Sequence, residues 1–289
     1  MTFSSLHNHT VFCDGSDDIE TMCRAAYENG LCSIGFSSHA PILKKTGIKT
    51  FWHMSEDRLN EYMDSVLEAR KRWQGKLAVY LGLELDYIKG LCCAKDKDIV
   101  SYDLDFIIGS VHYLVPDKGA RPFTVDGSME ELEQGIAEGF DGDGEAAMHA
   151  YWDTVAEMTA VGGFEILGHA DLLMKNNAGN CWFNPESAGY KVRLAEIAAA
   201  ISRNGCTAEI NTGGLNRGSY KATYPSGYFL QQLCKYNVPM LISADAHKAQ
   251  NIKGHYNFAV QALLEAGYSE HVLFEGKNNE LPLWRVEKF

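Results

Sequence analysis

Short, continuously apolar runs alternate with long helical patterns along this chain, and that alternation constrains its fold more than any other feature. The runs lie at 3–6, 33–37, 77–83, 106–108, 164–167, 207–210 and 240–242, with 272–274 a further candidate. Strands apolar on both faces and separated by helices pair in parallel inside a covered sheet. Asp17, with Glu20 three residues on, opens a helix that Gly30 closes, and Ser55 caps an amphipathic one carrying Leu59, Tyr62, Met63, Val66 and Leu67. Further helices are expected over 145–161, 186–203, 226–236 and 256–266. Seven or eight such units favour a closed α/β barrel over an open sheet, and 289 residues suit one domain spanning 1–289. The segment at about 113–144, with Lys118-Gly119-Ala120-Arg121-Pro122 and Gly142-Asp143-Gly144, reads as an irregular, lid-like insertion over the barrel mouth.

In a parallel barrel every strand's C-terminal end points to one face. His7 and His9 follow the first run, His39 the second, Glu84 ends the third, His112 follows the fourth and His169 the fifth. Glu209 and Asn211 lie in the sixth run, and Asp245 and His247 follow the seventh. Residues two apart on a strand share a side, so His7 with His9, and Asp245 with His247, can grip one ion together. So many crowded imidazoles and carboxylates are costly without a cation. Neutral imidazole with carboxylate suits Zn²⁺, Fe²⁺ or Mn²⁺. Asp14, in Cys13-Asp14-Gly15, reads equally as a turn residue or a ligand. His53, His149, His255 and His271 fall in helices or loops and read as ordinary.

Composition narrows the function classes. Lys and Arg number 26 against 38 Asp and Glu, a net charge of −12 that argues against binding nucleic acid or a membrane surface. No stretch approaches the ~20 apolar residues of a membrane span, and 1–7 lacks the basic and apolar regions of a signal peptide. The eight cysteines form no CxxC pair and read as reduced thiols, so a cytoplasmic setting is expected. GxxxxGK[ST], GxSxG and GxGxxG are all missing.

The motifs His7-Asn8-His9, Ser38-His39, Gly82-Leu83-Glu84, Ser110-Val111-His112, Gly168-His169-Ala170-Asp171 and Asp245-Ala246-His247 resemble the polymerase-and-histidinol-phosphatase (PHP) family. Val125-Asp126-Gly127-Ser128, Glu209-Ile210-Asn211-Thr212-Gly213-Gly214-Leu215 and Tyr224-Pro225-Ser226 bring the likeness nearer to its monofunctional phosphatases of histidine biosynthesis. The resemblance implies a distorted TIM-like (β/α)7 barrel with two to three divalent ions (Zn, Fe or Mn). It puts His7, His9, Glu84 and Asp245 on one ion and His39 and His169, with Asp14, on a second. Glu84 bridges to a third, also bound by His112 and His247. Relatives often carry a histidine near position 14, where this chain has Asp14-Gly15.

The implied activity is hydrolysis of a small phosphomonoester, L-histidinol phosphate, to L-histidinol and phosphate, with a metal-bridging hydroxide as nucleophile. The alternative is another family phosphoesterase acting on nucleotides or nucleic-acid 3′ ends. Arg217, just past the sixth strand, is the expected phosphate clamp, since a guanidinium matches phosphate with two hydrogen bonds. Lys221 and Arg121 are weaker candidates. The proton for the leaving group has three possible donors, Asp245, Asp171 and His247.

Overall fold

The computed structural model describes every residue except Lys118, Ala120 and Glu280. In chain order the elements begin with β1 (Ser4–Ser5), α1 (Ile19–Glu28), β2 (Ser33–Phe36), α2 (Leu59–Trp73), β3 (Ala78–Asp86), α3 (Lys97–Val100) and β4 (Phe106–Ser110). A hairpin of β5 (Tyr113–Leu114) and β6 (Phe123–Thr124) follows, then α4 (Met129–Phe140), α5 (Gly144–Val161), β7 (Ile166–Leu167) and α6 (Ala188–Arg203). The remainder is β8 (Thr207–Asn211), α7 (Gly213–Arg217), α8 (Gly227–Lys235), β9 (Met240–Ser243), α9 (Tyr256–Ala266), β10 (Glu270–Asn278) and β11 (Leu281–Lys288).

Seven strands form one parallel sheet in the order β1-β2-β3-β4-β7-β8-β9. Beyond their ends, His9 N donates to Ala246 O at 2.9 Å and Ala246 N to His7 O at 3.2 Å, which draws the first and last strands into a nearly closed barrel. The expected TIM-like barrel is therefore the observed fold. Its interior holds Leu6, Phe106, Ile108, Ile166 and Leu241. The Phe106 ring fits because Gly35 and Gly82 face it, and a Cβ on either would lie 2.7 and 2.5 Å from that ring.

The apolar run at 272–274 joins a different partner. It lies in β10, which pairs antiparallel with β11, and the ribbon stacks Val272 and Phe274, with Trp284 against them, under the barrel interior. Segment 113–144 is also more regular than its glycines suggested. Gly135 and Gly139 sit inside α4 where Phe123 and Pro116 come too close for a side chain, so they serve packing rather than disorder. Part of the quoted motif there, Lys118 and Ala120, lies outside the described residues.

Two helix starts shift. Asp18, not Asp17, caps α1 by accepting from Thr21 N at 2.7 Å. Asp17 instead accepts from Ala249 N at 2.8 Å and ties the helix start to the loop after β9. Ser55 precedes a single 3₁₀ turn, Glu56–Arg58, and makes no side-chain cap. On α2 the core face is Leu59, Tyr62, Val66 and Ala69, with Tyr62 donating to Gly82 O at 2.8 Å, while Leu67 points to solvent. All eight cysteines are free thiols. Among the described residues no helix is long and apolar enough to cross a membrane.

Candidate active site

Because the seven strands run parallel, the residues just past their C-terminal ends meet at one mouth. Glu84, 1 % exposed, stands at its centre. Its Oε2 lies 2.9 Å from His39 Nδ1, 3.2 Å from His7 Nε2 and 3.4 Å from His9 Nε2. Its Oε1 lies 2.8 Å from His169 Nε2 and 3.6 Å from His112 Nε2, and accepts from Ser110 Oγ at 2.7 Å. Asp245 Oδ1 adds contacts of 3.3 Å to His9 Nε2 and 3.8 Å to His7 Nε2. Asp14 closes the rim, 3.2 Å from His247 Nε2, 3.6 Å from His9 Nδ1 and 3.8 Å from His39 Nε2.

The donor set fits divalent cations. Two ligand atoms on one ion, each about 2.0–2.2 Å from it, stand roughly 3.0–3.5 Å apart. Several of the pairs above have that separation. His7 Nε2, His9 Nε2, His39 Nδ1 and Glu84 Oε2 are buried and have no hydrogen-bond partner, a costly arrangement for groups without a cation. Three overlapping sets bring their ligand atoms within 4.8 Å: His9, Asp14, His39 and His247; His7, Glu84 and His169; His7, His9 and Asp245.

These distances sort the ligands differently from the expected partition. His247 faces Asp14 and stacks on His9 with ring centroids 4.1 Å apart, away from His112. His169 faces Glu84 and His7 instead of joining His39. The left-handed backbone at Asp245 (φ 48°) turns the chain ahead of His247. Asp14, open in the sequence between a turn and a ligand role, stands among the imidazoles.

A layer of acceptors aims these rings. Both oxygens of Glu209 lie 3.0 Å from His7 Nδ1, which puts the proton on Nδ1 and turns Nε2 toward Glu84. Glu209 also accepts from Ser243 Oγ at 2.5 Å, His169 N at 2.8 Å and Asn211 Nδ2 at 2.8 Å. Asp86 does the same for His112, with Oδ1 2.7 Å from Nδ1, and its Oδ2 is 2.6 Å from His53 Nε2. Burial with the neighbouring His247 and His39 imidazoles pushes His9 down to about 3, so that it is a neutral donor. Burial alone would push Glu84 up; the His39, His7 and His112 imidazoles outweigh it and hold the carboxyl well below its ordinary range.

His53 thus corrects the reading of four ordinary histidines. His149 and His255 are exposed, and His271 is buried beside Phe3 and Phe289, but His53 lies inside the site. Asp86 and Trp52 escaped the sequence reading altogether. The only local signal was Asp86 two residues past Glu84, hence on the same side of β3.

Arg217, from the one-turn helix after β8, reaches Asp245: Nη2 donates to Oδ2 at 3.0 Å, and Nη1 lies 3.2 Å from His247 Nδ1. Among the described residues Asp171 forms no ion pair. Its Oδ2 accepts from Ser226 N at 3.0 Å, and its Oδ1 is buried with no hydrogen-bond partner. Burial pushes its carboxyl up to about 7 against the pull of the Ser226 N–H. A carboxyl raised in the folded chain adds stability below its unfolded value near 3.8, and that contribution is lost as pH rises through 7. Asp171→Asn should therefore gain in Tm over the wild type as pH goes from 4 to 8, by on the order of 5 °C, measured by calorimetry on metal-stripped protein.

The family model for the PHP domain matches residues 5–213. The chain belongs to the PHP domain family. The matched region holds every candidate metal ligand named above except Asp245 and His247. A histidinol-phosphatase of Bacillus subtilis is similar at 27 % identity, covering 90 % of this chain and 97 % of that one. A histidinol phosphate phosphatase structure from Lactococcus lactis, complexed with Zn, L-histidinol and phosphate, superposes with a TM-score of 0.65 at 19 % identity, covering 96 % and 99 %. A Listeria monocytogenes structure assigned to the same activity gives a TM-score of 0.76 at 22 % identity, covering 88 % and 99 %. At those identities the two structures speak for the shared barrel fold alone.

Proposed function

We propose that this protein is a metal-dependent phosphomonoesterase that hydrolyses L-histidinol phosphate in the cytoplasm. The observation that carries the reaction class is the convergence of buried, unpartnered imidazole and carboxylate atoms on Glu84, with a guanidinium at the rim. The choice of substrate is supported by similarity along nearly the full length to proteins named for that activity. His7, His9, Asp14, His39, Glu84, His112, His169, Asp245 and His247 would hold two to three divalent ions. Bound there, such ions (Zn, Fe or Mn) neutralise phosphoryl oxygens and activate water for in-line attack.

The chain's own groups do the rest. Arg217 orients the phosphoryl group with the N–H donors left over once Nη2 serves Asp245 Oδ2 and Nη1 serves Asp245 O and His247 Nδ1. Asp245 stays a carboxylate: burial alone would raise it, but Arg217 and His7 hold it well below its usual range. His247 is committed to Asp14. That leaves Asp171, the one candidate with a carboxyl that keeps its proton near neutral pH, to protonate the departing alkoxide.

Turnover of histidinol phosphate should vanish on treatment with a chelator and return with Mn²⁺ or Zn²⁺. kcat/KM compared across histidinol phosphate, AMP and a short oligonucleotide tests the substrate. Activity indifferent to chelation sinks the metal reading, and a preference for AMP or the oligonucleotide replaces the substrate.

A further inference from the structure

The segment at 41–53, between β2 and α2, crosses the barrel mouth. It packs through Ile42, Leu43, Ile48 and Trp52 onto Ile88, Cys92 and Tyr113. The Trp52 ring lies edge-on to His39 and His112, with centroids 4.6 and 5.3 Å away, so this strap walls one side of the metal centre. Its buried polar attachment is His53. Nε2 meets Asp86 Oδ2 at 2.6 Å, while Nδ1 stands 3.2 Å from Thr50 Oγ1. The other Asp86 oxygen is 2.7 Å from His112 Nδ1. Asp86 is 4 % exposed, and the His53 and His112 side chains are 3 % and 6 % exposed.

One carboxylate therefore fixes two things at once. Taking the His112 Nδ1–H leaves the Nε2 lone pair facing Glu84 Oε1, 3.6 Å away. Taking the His53 Nε2–H pins the strap, and Trp52 with it. We infer that Asp86 is a positioning residue that links closure of the 41–53 strap to the presentation of His112 to a divalent ion. The inference rests on the metal-centre reading above. Coupling of this kind is reciprocal: an ion that pulls on His112 tightens the strap, and a strap freed from Asp86 weakens the ion by the same factor. A carboxylate behind a ligating histidine sets its tautomer and ring orientation; here the same carboxylate is shared with a histidine of the strap, 33 residues away in sequence.

The strap carries its own reporter. Lys44, Lys45 and Lys49 are exposed, and trypsin can cut after them only when the strap opens locally. Tryptic cutting in the strap is timed for metal-stripped and Mn²⁺-loaded protein, and Mn²⁺ affinity and content are measured directly. In the wild type Mn²⁺ should slow cutting severalfold. His53→Ala removes no proposed ligand, yet should weaken Mn²⁺ by roughly fivefold or more and abolish the protection. His53→Gln, which keeps an N–H where Nε2 stood, should restore most of both. Asp86→Asn should cost roughly 10–100-fold in Mn²⁺ affinity. If His53→Ala proves too unstable to purify, His53→Gln against the shorter His53→Asn makes the same comparison without a cavity. A His53→Ala protein that binds Mn²⁺ as the wild type does, and is protected equally, overturns the inference. A wild type that binds no metal overturns the metal-centre reading itself and the inference with it.

Discussion

Glu84→Gln should lower kcat/KM by roughly three orders of magnitude, the several kcal/mol that metal-held charge contributes to a transition state. The substitution is nearly isosteric, so the barrel around it keeps its packing. What changes is the one group that five imidazoles share. Glu84 reaches His7, His9, His39, His112 and His169 at 2.8 to 3.6 Å. A neutral amide supplies one weak acceptor there and turns an N–H₂ group toward ring nitrogens that need a cation instead. Elemental analysis should find bound metal reduced in step with activity. Stability gives an independent reading. An ion bound only by the folded chain adds about 2.7 kcal/mol at one hundred times its Kd, so Mn²⁺ should raise the wild-type Tm and leave that of Glu84→Gln nearly unmoved. A variant that keeps both its metal and its turnover would show that the carboxylate is not the hub of the centre.

The site was legible where its logic is that of the barrel. Parallel strands end on one face, so the histidines and carboxylates that follow six of the seven apolar runs had to converge, however far apart in sequence. The helix expected over 256–266 is observed over Tyr256–Ala266, bounded by left-handed His255 and Gly267. Legibility failed where a partner is chosen in three dimensions. The apolar run at 272–274 could not announce that it would pair with 281–288 and plug the barrel instead of joining it. His53 had no local pattern, because its meaning comes from Asp86. The irregular reading of 113–144 missed α4, whose Gly135 and Gly139 make room for the Phe123 and Pro116 rings outside the helix. The division of ligands among ions depends on side-chain direction, and at Asp245 that is set by a backbone angle that Asp245-Ala246-His247 does not reveal.

Arg217→Ala should cost about 10²–10³ in kcat/KM, the usual loss when one donor to a developing oxyanion is removed. The guanidinium is held by design of the backbone around it. Gly213 opens the helix that carries it, and a Cβ there would lie 2.5 Å from Asp245 Oδ2 and 2.9 Å from Arg217 Nη2. Gly213→Ala must therefore push the two apart, and should reproduce part of the loss without removing a functional group. Two roles for Arg217 make different demands. If it clamps phosphate, Arg217→Ala weakens product inhibition by inorganic phosphate while metal content holds, and Arg217→Lys rescues poorly because a point charge cannot serve Asp245 and phosphate with one planar fork. If it serves only to keep Asp245 in place, metal content falls with activity, and the phosphate inhibition constant of the fully metal-loaded variant stays at the wild-type value. The inhibition constant thus decides whether the arginine touches the substrate or only the residue beside it.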